Sequence, residues 1–116
     1  MKIVRTHRYT KDLRRLRLSE RHQDALEQSI ANDPQVGAVI PGLEGVRKVR
    51  FAMQGRGKSG GGRAIYYLML SDDLAIMLTA YAKNEQEHLS PEQKKAILAA
   101  LQELNNGGPK KRKRAV

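Results

Sequence analysis

Residues 46–83 read VRKVRFAMQGRGKSGGGRAIYYLMLSDDLAIMLTAYAK, and this stretch decides the fold. Val49, Phe51 and Met53 alternate with Lys48 and Arg50, the period of two expected of a half-buried strand over residues 46–53. Residues 63–70 are nearly continuously apolar and β-prone, as a central strand should be. Ser71, Asp72 and Asp73 mark a turn, and residues 74–83 form the next strand. Between the first two strands lies QGRGKSGGG, residues 54–62, whose five glycines and two cations read as a mobile loop or a wide turn. The pattern predicts an antiparallel meander of three strands. A tight turn at 71–73 sets Arg63 beside Tyr81, and alternation puts Tyr81 and Lys83 on one face.

Working outward, residues 34–45 (PQVGAVIPGLEG) are a Pro- and Gly-rich approach loop. Before it, a short helical pattern opens at Thr10, with Leu13 and Leu16 three apart. Ser19 then caps a second helix over residues 20–31, with Glu20 in its first turn and Ala25, Leu26 and Ile30 on one side. Asn32, Asp33 and Pro34 stop it, and the two helices read as a hairpin. Ile3 and Val4 fit a short edge strand. Downstream, Ser90-Pro91-Glu92-Gln93 is a helix start with a capping box, followed by a stripe of Ile97, Leu101 and Leu104 flanked by Leu98 and Ala100. Asn105, Asn106 and Gly-Gly-Pro end it. The expected fold is α+β: an N-terminal helical hairpin packed on a central antiparallel sheet of three to four strands, followed by a C-terminal helix. One domain spans residues 1–106, and residues 107–116 (GGPKKRKRAV) form a basic tail expected to be disordered.

Charge narrows the function. Lys and Arg number 22 against 12 Asp and Glu, a net charge of +10, which favours a polyanionic partner. The surplus is concentrated: seven cations and one acid in residues 1–18, six cations and no acid in 45–71, and five cations in the last seven residues. No apolar run approaches the ~18 residues that span a bilayer, and the first residues lack the apolar stretch of a secretion signal. The chain has no cysteine, which excludes disulfides and thiolate zinc sites. A cytoplasmic protein without a membrane partner is expected.

The residues also restrict the chemistry. GRGKSGGGR lacks the spacing of a nucleotide-binding Gly-Lys-Ser loop, and no helix follows it. His7, His22 and His88 are dispersed over an arm, a helix and a loop, which disfavours a paired-histidine nuclease site. The absence of acids between 45 and 71 leaves a metal at the glycine loop without local ligands. Arg, Lys and Tyr remain. They suit phosphodiester cleavage without a metal, because Arg and Lys stabilise charge on a phosphorane-like transition state. A lysine crowded by cations can accept the proton of an RNA 2′-hydroxyl. DNA lacks that nucleophile.

The segments Val46–Ala52, Gly55-Arg56-Gly57-Lys58 with Gly60-Gly61, Arg63-Ala64-Ile65-Tyr66-Tyr67, Tyr81-Ala82-Lys83-Asn84-Glu85 and Leu89-Ser90 together resemble the HigB-type branch of the RelE toxins. The resemblance covers roughly residues 19–104. It implies a ribosome-dependent endoribonuclease that enters the 30S A site and cuts the messenger RNA there by 2′-hydroxyl attack, with no metal or cofactor. It also implies a cognate, DNA-binding antitoxin in a bacterial cytoplasm. On the matching positions, Arg63 holds the scissile phosphate, Arg56 and Lys58 form the cationic loop, and Lys58 helps deprotonate the 2′-hydroxyl. Tyr81 stacks on a base or orients the phosphate, and Lys83 contacts phosphate or acts as the acid. Lys48 and Arg50 grip ribosomal RNA or line the floor of the site. Arg14, Arg15 and Arg17, with Arg8 and Lys11, meet ribosomal RNA, the alternative being a solvated helix face. Many relatives carry an arginine after the late lysine and a tyrosine a few residues on; here Asn84 and His88 stand there, which makes His88 a candidate acid. A non-catalytic nucleic-acid-binding module, a gyrase-directed toxin of the ParE type and a structural ribosome-associated protein are the competing readings.

Overall fold

A computed structural model describes residues 1–55 and 60–105. The glycine-loop residues Arg56 and Lys58 and the basic tail lie outside the described residues. The sheet is built on the predicted meander: β3 (Arg47–Phe51), β4 (Gly62–Met69) and β5 (Leu74–Ala82) pair antiparallel in sequence order. Two further strands complete it. β1 (Lys2–Arg5) joins the outer edge of β5, and β2 (Ala38–Val39) joins β3, giving the order β1-β5-β4-β3-β2. The sheet therefore has five strands rather than three or four, and it is mixed, because β1 runs parallel to β5. A parallel neighbour needs a long connection. Here the whole of β2, β3, β4 and both N-terminal helices lie between the pair, which no local pattern reveals.

Helices cover both faces. α1 (His7–Arg15) and α2 (Glu20–Asn32) contribute Tyr9, Leu13, Leu26 and Ile30 to one core, with Val49, Phe51, Ala64, Tyr66 and Met77 of the sheet. α3 (Pro91–Asn105) contributes Ile97 and Leu101 to the other, with Val46, Ile65, Ile76, Leu78 and Tyr81. α1 starts earlier than its apolar spacing indicated, because Thr6 caps it by accepting from the Tyr9 N–H at 3.2 Å. The caps read from the sequence are present in α2, where Ser19 accepts from the His22 N–H, and in α3, where Ser90 and Gln93 exchange bonds at 3.1 and 2.8 Å. Ala25 is exposed, so the buried stripe of α2 is Leu26 and Ile30 alone.

Between α1 and α2 the chain turns through Arg17 at φ 53°, in the left-handed region. The Leu18 N–H returns to the Leu13 carbonyl and the Arg17 N–H to that of Arg14, while Leu13 and Leu18 both enter the core, so the helix ends in a Schellman motif with arginine at the position usually held by glycine.

Tyrosines supply the main polar ties of the hairpin-side core. The fully buried Tyr9 donates to Glu27 at 2.9 Å, and Arg5 grips the same carboxylate at 2.8 and 3.1 Å, tying β1, α1 and α2 together. Tyr66 donates to the Pro34 carbonyl and accepts from the Gly37 N–H, pinning the loop ahead of β2. Burial pushes the Tyr9 hydroxyl well above the usual phenol range, and does the same more weakly at Tyr66 and Tyr81. The unfolded chain ionises these phenols near pH 10. With the folded value raised, the stabilisation is whole below about pH 10 and is lost as the pH rises beyond it. Chemical denaturation between pH 8 and 11.5 should therefore show stability falling above about pH 10. The Tyr9→Phe variant should be weaker by about 1–2 kcal/mol at pH 8 through its lost hydrogen bond, with a shallower alkaline decline.

Candidate active site

The register across the three central strands assembles the site. Arg50 of β3 stands opposite Arg63 of β4, and Arg63 stands opposite Tyr81 of β5, so the three form one row across the sheet. Tyr81 and Ile65 belong to the core beneath α3, which places this row, with Lys48 one step along β3, on the α3 side of the sheet. Lys83 follows at the end of β5, where its N–H donates to the Gly61 carbonyl at 2.9 Å. The expected neighbourhood of Arg63 and Tyr81 is thus present.

The surroundings of these side chains differ. Arg63 is only 8% exposed, and its Nη1 donates to the Gly62 carbonyl at 2.9 Å. Arg50 and Lys83 are exposed, and Lys48 is half-buried. Position 62 must be glycine for this packing: a Cβ there would lie 2.3 Å from Phe51 Cζ, so the Phe51 ring covers the backbone next to Arg63. Tyr81 is 1% exposed and is packed in the core. Stacking on a base is therefore not open to it, contrary to the expectation from sequence. Its hydroxyl instead donates to the Glu87 carbonyl at 3.3 Å, tying the loop after β5 to the sheet. Burial raises the Tyr81 hydroxyl above its ordinary range, while the nearby Arg63 cation pulls in the opposite direction. His88 lies exposed in that loop, its carbonyl accepting from Gln86 Nε2 at 2.8 Å.

The N-terminal cations divide. Arg14 and Arg17 are exposed. Arg15 is exposed as well, but its guanidinium is engaged by the molecule itself: it pairs with Asp12 at 3.1 Å and with Glu85, and donates to the Ala80 carbonyl at 3.0 Å. Burial would lower its guanidinium, but the bonds to Glu85 and Asp12 outweigh this and raise it. Burial would likewise raise the Glu85 carboxyl; the Ala82 N–H and Arg15 hold it below the usual carboxylate range. Arg15 therefore braces the strand bearing Tyr81, a role closer to structure than to the RNA contact expected of it. Sequence reasoning missed Asp12 and Glu85. The Asp12/Arg15 spacing of three along a helix is visible in the chain, but the closure onto residues 80–85 is made only by the fold.

Among the described residues, no group of three or more His, Asp or Glu is arranged to hold a metal ion. No described helix is long and apolar enough to cross a membrane.

A mixed sheet between a helical hairpin and a C-terminal helix, with Arg50 and Arg63 side by side on one face, defines a small basic α+β protein. The family described as the RelE toxin of the RelE/RelB toxin-antitoxin system matches residues 1–112, and the chain belongs to that family of toxins. Two solved structures share the fold. An arginine-to-alanine mutant of the E. coli toxin RelE in the free state is 16% identical, with 74% of this chain and 86% of that chain covered and a TM-score of 0.54. The isolated E. coli RelE toxin in a P21 crystal form is 15% identical, with 83% and 94% covered and a TM-score of 0.51. Membership makes the protein a toxin of a toxin-antitoxin system, with a cognate antitoxin as its partner.

Proposed function

We propose that the protein is a ribosome-dependent messenger RNA endoribonuclease of the HigB-type branch, acting in the bacterial cytoplasm on the codon in the 30S A site. The observation that carries this reading is the row Arg50–Arg63–Tyr81 across the sheet, with Lys83 following directly at the end of β5. Arg63 is held with little exposure, in a setting where a fixed cation acts strongly on a developing phosphorane charge. A guanidinium is a donor fork suited to binding a phosphate and stabilising its charge, and this is the role given to Arg63. Proton transfer falls to lysines and to His88. Lys58 and Arg56, placed by the chain between β3 and β4, supply the base and a second clamp on the phosphate. Lys83, exposed at the mouth of the row, contacts phosphate or protonates the leaving 5′-oxygen, with His88 the alternative acid. Tyr81 acts from below, orienting the strand end and its loop through its hydroxyl. Lys48 and Arg50 flank the row, and Arg14 and Arg17 offer an outer cationic surface to ribosomal RNA. The antitoxin blocks this activity and binds DNA.

The attacking group in this scheme is the 2′-hydroxyl, so it belongs to the substrate. A message carrying a single 2′-deoxynucleotide immediately 5′ of the cut, bound on programmed ribosomes with purified toxin, should not be cleaved at that position. The unmodified message should yield a 2′,3′-cyclic phosphate and a 5′-hydroxyl end. Cleavage of the deoxy message at an undiminished rate contradicts the scheme, since water would then be the nucleophile.

A further inference from the structure

β5 changes phase partway along its length. Ile76 and Leu78 face the core beneath α3, and Ala75 and Met77 face the hairpin side; beyond them Ala80 lies on the hairpin side and Tyr81 on the α3 side. The even-numbered positions have given way to the odd. The cause is a bulge: Tyr66 pairs with Met77 but Ile65 pairs with Thr79, so Leu78 is the extra residue. Continued without it, the register set by Met69 and Leu74 would place Ala80 opposite Arg63 and turn Tyr81 and Lys83 to the other face.

The bulge lies where β5 loses its outer neighbour. β1 ends at Arg5, opposite Met77, so among the described residues no strand flanks the outer edge of residues 78–82. Side chains take a strand's place there. Thr6 donates from its N–H and its Oγ1 to the Met77 carbonyl at 3.2 and 2.7 Å, with Oγ1 also 3.3 Å from the Leu78 carbonyl. Asp12, 3% exposed, accepts from Thr79 Oγ1 at 2.6 Å and from the Ala80 N–H at 3.0 Å. Arg15 donates to the Ala80 carbonyl, and Glu85 accepts from the Ala82 N–H at 2.9 Å while pairing with Arg15. A buried carboxylate persists only when its lone pairs are met, and bare strand-edge groups are costly when covered. Here each need answers the other.

We propose that Thr6, Asp12, Arg15 and Glu85 form a clamp that stands in for a strand along the end of β5, fixes the bulge, and so holds Tyr81 and Lys83 on the face of Arg63. All four are positioning residues. The consequence for cleavage rests on the nuclease reading above, whereas the consequence for geometry does not.

Two variants test it. Asp12→Asn keeps the size and one acceptor oxygen but loses the charge that holds Arg15. Glu85→Ala alters a side chain that is 38% exposed, so it leaves the cores intact and decides the matter if Asp12→Asn fails to fold. Nuclear magnetic resonance reads the cross-strand contact between Arg63 and Tyr81 and the exchange of the Ala80 and Ala82 amides. Single-turnover cleavage at increasing ribosome concentration separates the saturated rate from half-saturation. The expected result is amide exchange faster by about tenfold, at Ala80 in Asp12→Asn and at Ala82 in Glu85→Ala. The Arg63–Tyr81 contact should weaken in both. The saturated rate should fall by about tenfold or more, with half-saturation changed by less than about twofold. Faster exchange with an unchanged saturated rate overturns the positioning role. If the wild type does not cleave, the nuclease reading fails on its own, and the clamp is then judged on the cross-strand contact: its persistence in both variants overturns the clamp.

Discussion

Arg63→Ala is expected to slow message cleavage on programmed ribosomes by about 10²–10³-fold, the loss seen when one preorganised donor to a developing oxyanion is removed. The size of the effect follows from where the guanidinium sits. It is largely shielded from water, and it is fixed between Arg50 and Tyr81 by strand pairing on both sides. Charge interactions gain strength as water is excluded, and a donor already in place needs no reorganisation as the phosphorane forms. The loss should appear in the saturated rate rather than in ribosome affinity, because the rest of the cationic surface is intact. Arg63→Lys should recover only part of the activity, since an ammonium keeps the charge but not the two-pronged geometry that matches a phosphate. Lys48→Ala, at a half-buried position one step away, should instead weaken ribosome binding with less effect on the saturated rate. Circular dichroism and thermal melts of the three variants separate these losses from unfolding.

Gly62→Ala is expected to destabilise the fold by about 1–3 kcal/mol, the range for forcing an extra carbon into a packed core, and to lower the melting temperature by several degrees. The added methyl would meet the Phe51 ring at 2.3, 2.7 and 2.8 Å, closer than carbon atoms approach without displacement. Phe51 is 2% exposed and is held in the core beneath the helical hairpin, so it cannot swing into solvent. Either the ring leaves its place or β3 separates from β4, and the second outcome draws Arg50 away from Arg63. Phe51→Leu should remove the conflict at the expense of a cavity. The double variant Gly62→Ala with Phe51→Leu should therefore be more stable than the sum of the single effects indicates, a coupling that thermal denaturation of the four proteins measures. Additive losses would show that the ring is not what makes glycine necessary.

How much of this was legible in the chain depended on whether the information was local. The alternation of Val49, Phe51 and Met53, the apolar run from Ala64, and the Ser-Asp-Asp turn specify β3, β4 and β5, because side-chain period and turn chemistry act over a few residues. The capping box at Ser90 and Gln93 was legible for the same reason. The parallel placement of β1 was not, since its partner lies some seventy residues away. The pairing of Arg63 with Tyr81 was expected from a tight turn, and it is present, but by a route that the turn alone does not supply. Counting back from Met69 and Leu74 leads to Ala80, and only the bulge at Leu78 shifts the register by one. That bulge is bound to Thr6 and Asp12, residues whose sequence context announces a cap and a helix face and nothing of β5. The burial of Tyr81, which closes off base stacking, is not legible for the related reason that alternation assigns a face but not its cover. α3 and Leu89 close over that part of the sheet. The family and its α+β fold were thus carried by local pattern and motif, whereas the exposure of each site residue was set by distant packing.

The most direct test of the central claim is made in cells. Wild-type protein and Arg63→Ala are each induced in a bacterium lacking the antitoxin, and the 5′ ends of all messages are mapped at nucleotide resolution. The expected result is growth arrest with new ends in register with codons inside translated regions for the wild type, and neither arrest nor new ends for Arg63→Ala at equal protein level. Arrest of equal depth from both proteins, or arrest by the wild type with no new message ends, would contradict a toxin whose cationic row cuts RNA.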